Sequence, residues 1–346
     1  MKTSVTMAAM ACVLALGLPA REAAARTSLS LTQYGPDRGW QADLLKAYAE
    51  RVREASGGEL DIRITFGGAL IAAKDVLRGV GDGVADLGSF IAVYTPAELF
   101  NYRVGDLPVG STDPWVGNAS MMELARTNPV VKGEFDAQNT VLLANSTATE
   151  VVLICKEPLT SLDQLDGMKL RANPPHSLAF ETFGAVMVSV TTPDVYQALD
   201  RGLIACAQTY VPTILPYRQY EVAPHVTMLD FGQNLAFGLV MNKRKFERLT
   251  PALQQVLVQA GEAYSVDYAR HSLESFNQIK TELASDHGVT FHTLSDADHD
   301  RLTAAGQDTV EAFLDRGDPG VLQQFQALQK TYTAELQADG YPWARH

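Results

Sequence analysis

The sequence predicts an α/β protein with material for two domains, and three observations carry that reading. Strand-like runs separated by helix-length segments occur at 29–89 and again at 161–210, so these strands should lie parallel, joined by right-handed crossovers. About 320 residues remain after an N-terminal export segment, enough for two cores. A helical pattern opening at Thr250-Pro251 persists to about Ser285. That is on the order of 35 residues, or ~50 Å, longer than one domain needs.

Met1-Lys2, the apolar run Val5 to Leu18 and Ala23-Ala24-Ala25 read as a signal peptide over 1–25. Cleavage is expected near Ala25, with a cut near Ala20 or a retained anchor as alternatives. The whole chain carries −12; losing Lys2, Arg21 and Glu22 leaves about −13. That balance argues against nucleic acid or anionic membranes as partners. No later run is apolar enough to span a bilayer.

The mature chain opens with a strand at Leu29 to Leu31, then Tyr34-Gly35-Pro36. A helix follows from Trp40 to Ala55, with Leu44, Leu45, Tyr48 and Val52 on one stripe. Glu59 to Phe66 alternates as a strand, Ala72 to Val80 is a helix, and Ala85 to Ser89 is the third strand. Phe90 and Tyr94 follow it and either line a cleft or fill the core. A helix at Ala119 to Thr127 and strands at Thr140 to Ala144 and Glu150 to Lys156 come next. Asn145 lies in the polar connection between those strands. Glu150 is either a partner for a ligand ammonium group or a surface carboxylate.

From Ser161 the chain makes a capped turn (Leu162 to Leu165), a strand ending at Arg171 and a loop through Asn173, Pro174 and Pro175. A helix to Phe183, a strand Val186 to Val190, a helix Pro193 to Arg201 and a strand Leu203 to Ala207 follow. Gln208, Thr209 and Tyr210 then stand, like Arg171, at the carboxyl end of a strand, where ligands of parallel sheets bind. Arginine there offers a fork of donors suited to a carboxylate, against the alternative of a structural ion pair. His176, beside that loop, either touches a ligand or lies on the surface. Beyond a helix at Pro212 to Gln219, strands Val226 to Phe231 and Phe237 to Met241 flank Asn234, where the chain crosses back to the first domain. After the long helix come a strand, Val289 to His292, and two more helices.

Cys155 and Cys206, on strands of one domain, form a disulfide or pack as two buried thiols. Gly79, Gly81 and Gly83 end a helix rather than begin one, so no nucleotide fingerprint is present. Asp296 to Asp300 lacks the glycine of a calcium loop. No nucleophile, metal-ligand or phosphate-loop motif is found, and neither enzyme, cofactor nor metal is expected.

Leu162-x-x-Leu165-x-Gly167-x-Lys169-x-Arg171, then Phe183-Gly184-Ala185, then Val195-Tyr196-x-Ala198-Leu199-x-x-Gly202 resemble solute-binding proteins of tripartite ATP-independent periplasmic (TRAP) transporters. The resemblance extends loosely along the mature chain. It implies a two-lobed periplasmic binding-protein fold with the long helix spanning both lobes. The implied lobe I is 26–149 with about 235–268, and lobe II is 150–234 with about 269–346. The implied function is capture of a small organic acid anion, carboxylate or sulfonate, and delivery to the small and large membrane subunits of a secondary transporter. The protein is expected in the periplasm, as a monomer.

By resemblance Arg171 holds the ligand carboxylate. Thr209 stands where an asparagine commonly joins that arginine, Thr192 where an aromatic ring commonly packs, and Ala205-Cys206 where Asp-Gly is usual. Val151 stands where sialic acid binders carry a second arginine. Candidate ligand contacts are therefore Arg171, Thr209, Gln208, Tyr210, Asn173, Thr192, Phe90, Tyr34, Asn145, Glu150 and Asn234. The competing functions are a periplasmic enzyme acting on such an acid, or a receptor subunit feeding a sensor.

Overall fold

The computed structural model describes residues 26–345 apart from 109, 234 and 235; the expected signal peptide and Asn234 lie outside the described residues. Strands run Thr27–Thr32 (β1), Leu60–Thr65 (β2), Leu87–Ile91 (β3), Thr140–Ser146 (β4), Glu150–Cys155 (β5) and Lys169–Arg171 (β6). Val186–Met187 (β7), Cys206–Thr209 (β8), His225–Gln233 (β9), Phe237–Asn242 (β10) and Thr290–Thr293 (β11) complete them. The α-helices are Trp40–Ala55 (α1), Val76–Gly81 (α2), Pro114–Thr127 (α3), Pro129–Ala137 (α4), His176–Glu181 (α5) and Val195–Asp200 (α6). Val211–Ile214 (α7), Lys243–Glu247 (α8), Pro251–His287 (α9), Asp296–Leu314 (α10) and Pro319–Asp339 (α11) follow.

Two sheets form, one of order β2-β1-β3-β10-β4 and one of order β11-β9-β5-β8-β6-β7. The pairs β1–β2 and β1–β3 are parallel, as are β6–β7 and β6–β8, as the helix-length connections require. Each sheet also receives antiparallel strands: β10 returns between β3 and β4, and β5 lies between β8 and β9. Leu29, Leu31, Leu60 and Ile62 point inward from β1 and β2, where α1 covers them with Leu44, Leu45, Tyr48 and Val52.

The long helix forms as the pattern predicts. The Thr250 side chain caps it, Pro251 takes the first position, and Gly288 ends it in the left-handed conformation. Its 37 residues span about 55 Å. Leu257, Ala260 and Tyr264 join the core of the first sheet, whereas Ile279 and Leu283 join that of the second, so one rigid rod serves both lobes.

Two details differ from the sequence reading, and one alternative it left open is decided. The strand expected at 203–207 forms at 206–209 instead, because Leu203 is half exposed in the turn after α6 and pairing with β5 selects the later residues. Gln208 and Thr209 thus belong to a central strand rather than to the loop beyond it. The C-terminal segment was expected with the second sheet. There α10 packs with Leu302 and Ala305, but α11 buries Val321, Leu322 and Phe325 against the first-lobe cluster that holds Phe90 and Tyr102. Cys155 and Cys206 face each other across β5 and β8 and are disulfide-bonded with a sequence separation of 51. Loop-closure entropy puts such a bridge at about 4 kcal/mol.

Candidate functional site

Both sheets turn carboxyl ends toward one cavity between the lobes. The first lobe contributes Tyr34 after β1, Ser89 and Phe90 from β3, and the connection 146–149 after β4. The second contributes Arg171 from the end of β6, Asn173, Thr192, and Gln208, Thr209 and Tyr210 at the end of β8. Tyr264, Tyr268 and Ser272 of α9 line it as well. Spaced four apart, these three occupy one stripe of the helix as it passes between the sheets.

Arg171 is only 2% exposed, and its guanidinium is aimed by neutral acceptors. Nε donates to the Val190 carbonyl at 2.9 Å, Nη1 to the Gln208 carbonyl at 2.8 Å and Nη2 to Thr192 Oγ1 at 3.4 Å. Among the described residues no ion pair involves Arg171, so its charge is buried without a protein carboxylate. A buried, oriented and uncompensated cation favours an anion from outside the chain.

Two of the expected contacts serve the scaffold around it. Gln208 accepts from the Asn173 backbone N–H at Oε1 (2.7 Å), pinning the loop after β6 to the β8 edge. Thr209 Oγ1 donates to Oε1 of Gln219 at 2.8 Å. Gln219, just before β9, is fully buried, and its Nε2 has no hydrogen-bond partner among the described residues while lining the cavity. Trp40 Nε1, Ser89 Oγ and Thr149 Oγ1 are likewise buried on this wall without a partner. Leaving such groups unmatched costs about 1–3 kcal/mol each, which a ligand rich in acceptor oxygens would recover.

Five tyrosines, Tyr34, Tyr210, Tyr217, Tyr264 and Tyr268, border the space. Burial pushes all five hydroxyls above the usual tyrosine range. For Tyr210 the nearby Arg171 charge acts in the opposite, lesser direction. All five therefore stay protonated and able to donate. The second cation on the wall is Arg38, exposed, with Nε donating to the Pro216 carbonyl at 2.6 Å. Among the described residues no aspartate or glutamate lines the cavity. In a chain of net charge −12, that segregation of charge is the site's electrostatic signature.

The structure thus brings together Arg171, Asn173, Thr192, Gln208, Thr209, Tyr210, Tyr34 and Phe90. Phe90 only borders the space, since its ring packs in the core against Tyr102 and Phe135. Two expected contacts lie elsewhere. Asn145 is consumed inside the first lobe, where Nδ2 donates to Asn118 Oδ1 at 2.8 Å and its backbone N–H donates to Ser265 Oγ at 3.1 Å. Glu150 begins β5 opposite Gln233, away from the cavity; burial and then the neighbouring Asp230 raise its carboxyl. His176 is neither a ligand contact nor a surface residue. Fully buried, it donates from Nε2 to the Phe231 carbonyl (3.1 Å) with its ring edge-on to Phe231.

Sequence reasoning did not single out Gln219, Tyr217, Tyr268 or Ser272. The one signal that could have found some of them is the run of hydroxylated residues at 264, 268 and 272, which interrupts the apolar face of α9.

The family described as "Bacterial extracellular solute-binding protein, family 7" (DctP) matches residues 32–316. The chain belongs to this family. It is the family of TRAP solute-binding proteins, transport proteins of the extracytoplasmic space. Among curated DctP-family relatives, a solute-binding protein of Sulfitobacter sp. (strain NAS-14.1) is 26% identical over 299 residues, 85% of this chain and 83% of that protein. The C4-dicarboxylate-binding periplasmic protein DctP of Rhodobacter capsulatus is 24% identical over 252 residues, 72% of this chain and 74% of the relative. Solved structures share the DctP fold. A Bordetella pertussis extracytoplasmic solute receptor binding pyroglutamic acid superposes with a TM-score of 0.79 at 23% identity, covering 88% of this chain and 99% of the receptor. A marine metagenome TRAP solute-binding protein specific for aromatic acid ligands gives 0.80 at 22% identity, covering 89% and 99%. Among the described residues no helix is long and apolar enough to cross a membrane.

Proposed function

We propose that this protein captures a small organic acid with one anionic group, carboxylate or sulfonate, in the interlobe cavity and delivers it to the membrane subunits of a TRAP transporter. The observation that carries this is the charge inventory: a buried Arg171 aimed by carbonyls, Arg38 on the same cavity wall, and no carboxylate there among the described residues. The relatives point the same way, since solved neighbours bind pyroglutamate, galacturonate and aromatic acids. With Glu150 outside the cavity, no carboxylate among the described lining residues would pair with an ammonium group, which disfavours amino acids. The tyrosine and tryptophan walls suit a flat or hydroxylated body. A second strongly charged acid group would meet only the exposed Arg38, so a monoanion fits better than a dianion.

Binding without turnover is the activity proposed, with the chain exported, its leader cut near Ala25, and acting as a monomer. The proposed lobe I is 26–149 with about 235–268, and lobe II is 150–234 with the segment from about 269 through α10. The packing of α11 supports assigning that last helix to lobe I.

A thermal-shift screen of the mature protein against pyroglutamate, 3-hydroxybenzoate, galacturonate, succinate, sulfonates, amino acids and amines tests the reading. A ligand at 100 times its Kd adds about 2.7 kcal/mol of stability. An organic anion should raise the melting temperature, and Arg171→Ala should abolish the shift. A cation as strongest ligand, or equal binding by the variant, sinks the assignment.

A further inference from the structure

We propose that the carboxamide of Gln219, oriented by the Thr209 hydroxyl, is a specificity-determining donor that takes the acid group of the ligand together with Arg171. The inference rests on the reading of the cavity as an organic-anion site and assigns that site its second donor.

Strand β8 keys both groups. The Gln208 carbonyl receives Arg171 Nη1, and the very next residue, Thr209, donates its hydroxyl to Gln219 Oε1, each at 2.8 Å. Two donor groups from different parts of the chain are thereby registered to consecutive residues of one strand. Occupying Oε1 orients the amide: its acceptor end is fixed on Thr209, and its Nε2 end, with two N–H bonds, has no partner among the described residues in a side chain that lines the cavity.

Nothing among the described residues uses those hydrogens, although Gln219 is completely buried. The backbone supports the placement. Arg218 adopts the left-handed conformation at φ 57°, turning the chain so that Gln219 enters the interior while Arg218 pairs outside with Glu221. A non-glycine residue holds that conformation only where its surroundings enforce it.

An arginine alone offers a planar fork and grips any carboxylate or sulfonate similarly. Adding an amide N–H from a second direction fixes the rotation of the acid group, and hence where the rest of the ligand points. A threonine–glutamine relay therefore performs at Thr209 what a single side-chain amide would do in place, with the donor displaced by the length of a second side chain. The acid group should sit correspondingly differently in the cavity.

The test uses isothermal titration of the mature protein with whichever acid of the panel above gives the largest thermal shift. Gln219→Leu should weaken binding by about ten- to a hundredfold, and Gln219→Glu, which keeps an acceptor for Thr209 but presents negative charge, by more. Thr209→Val should cost about tenfold in the native background and nothing further in Gln219→Leu, since it acts only through the amide. Thr209→Ser should restore most of that loss. Should Gln219→Leu fail to fold, the near-isosteric Gln219→Glu decides alone. An acid that requires Arg171 yet binds both Gln219 variants within twofold of native overturns this proposal and leaves the organic-anion reading standing. Additive losses for Thr209→Val and Gln219→Leu overturn the relay. If no acid of the panel binds the native protein, the anion reading falls and this inference falls with it.

Discussion

His176 shows how burial turns a residue that looks functional into a stability element. It directly follows the Pro174-Pro175 loop at the start of α5, yet its ring is sealed against Phe231, and desolvation lowers its pKa to about 4 from the usual 6.5. The hydrogen bond to the Phe231 carbonyl opposes this but does not win. Between those two values the unfolded chain binds a proton that the folded chain refuses. The contribution is therefore complete above about pH 6.5, declines as pH falls toward 4, and changes no further below that. At pH 5 the loss should be on the order of 2 kcal/mol. His176→Gln keeps a donor for the carbonyl and cannot titrate, so urea melts at pH 7 and pH 5 should show a smaller acid loss than native by about that amount. Equal acid losses would mean that the histidine does not report its surroundings in this way. Arg171 presents the opposite case. It stands at the end of β6 and lines the cavity, whereas Asn145 and Glu150, equally polar and equally near strand ends, are engaged by internal hydrogen bonds or stand off the cavity wall.

Helix α9 meets strand β4 so closely that one glycine governs the contact. A Cβ placed on Gly261 would lie 2.0 Å from the Leu143 carbonyl oxygen. Alanine is the better helix former by about 1 kcal/mol, but here the methyl group would push α9 off the sheet and with it the stripe of Tyr264, Tyr268 and Ser272. Gly261→Ala should destabilise by about 1–3 kcal/mol net. A denaturant titration in which this variant equals or exceeds the native midpoint would show that α9 can shift without cost. The existence and ends of α9 were legible from periodicity, its cap and its stop. That its middle turns touch a carbonyl and line a cavity was not, because an amphipathic pattern records that a face is buried and not what it is buried against. The strand β8 shows the same limit: Leu203 and Ile204 look like a strand start, and only the ladder to β5 moves it to Cys206.

Across the whole molecule the lobes are joined by polar contacts in addition to the shared rod. Tyr94 Oη accepts from the Thr192 backbone N–H at 2.8 Å and meets Thr192 Oγ1 at 3.1 Å. Arg38 reaches Pro216, and Arg103 Nη2 reaches the Pro174 carbonyl at 3.1 Å. Thr192 also receives Arg171 Nη2, so the residue that latches the lobes touches the group proposed to hold the anion. Closure and binding should then be coupled. Tyr94→Phe removes both latch bonds, and the captured acid should bind about tenfold more weakly. X-ray scattering of the ligand-free variant should show a larger radius of gyration than native. Unchanged affinity and unchanged scattering would show that the lobes hold together without this latch.

By itself the sequence determined what depends on local order: strand–helix alternation in two stretches, the long helix with its cap and stop, and an arginine at the carboxyl end of a strand. Those features follow from backbone preferences and from which faces of each element are apolar, and both are written in neighbouring residues. Tertiary structure decided the pairing of Cys155 with Cys206, the packing of α11 against the core that holds Phe90 and Tyr102, the internal use of Asn145, and the hydrogen bond from Thr209 to Gln219. Each is a choice among chemically equivalent partners far apart in the chain. Hydrogen-bond complementarity and burial select the partner only after the sheets have brought the candidates within reach.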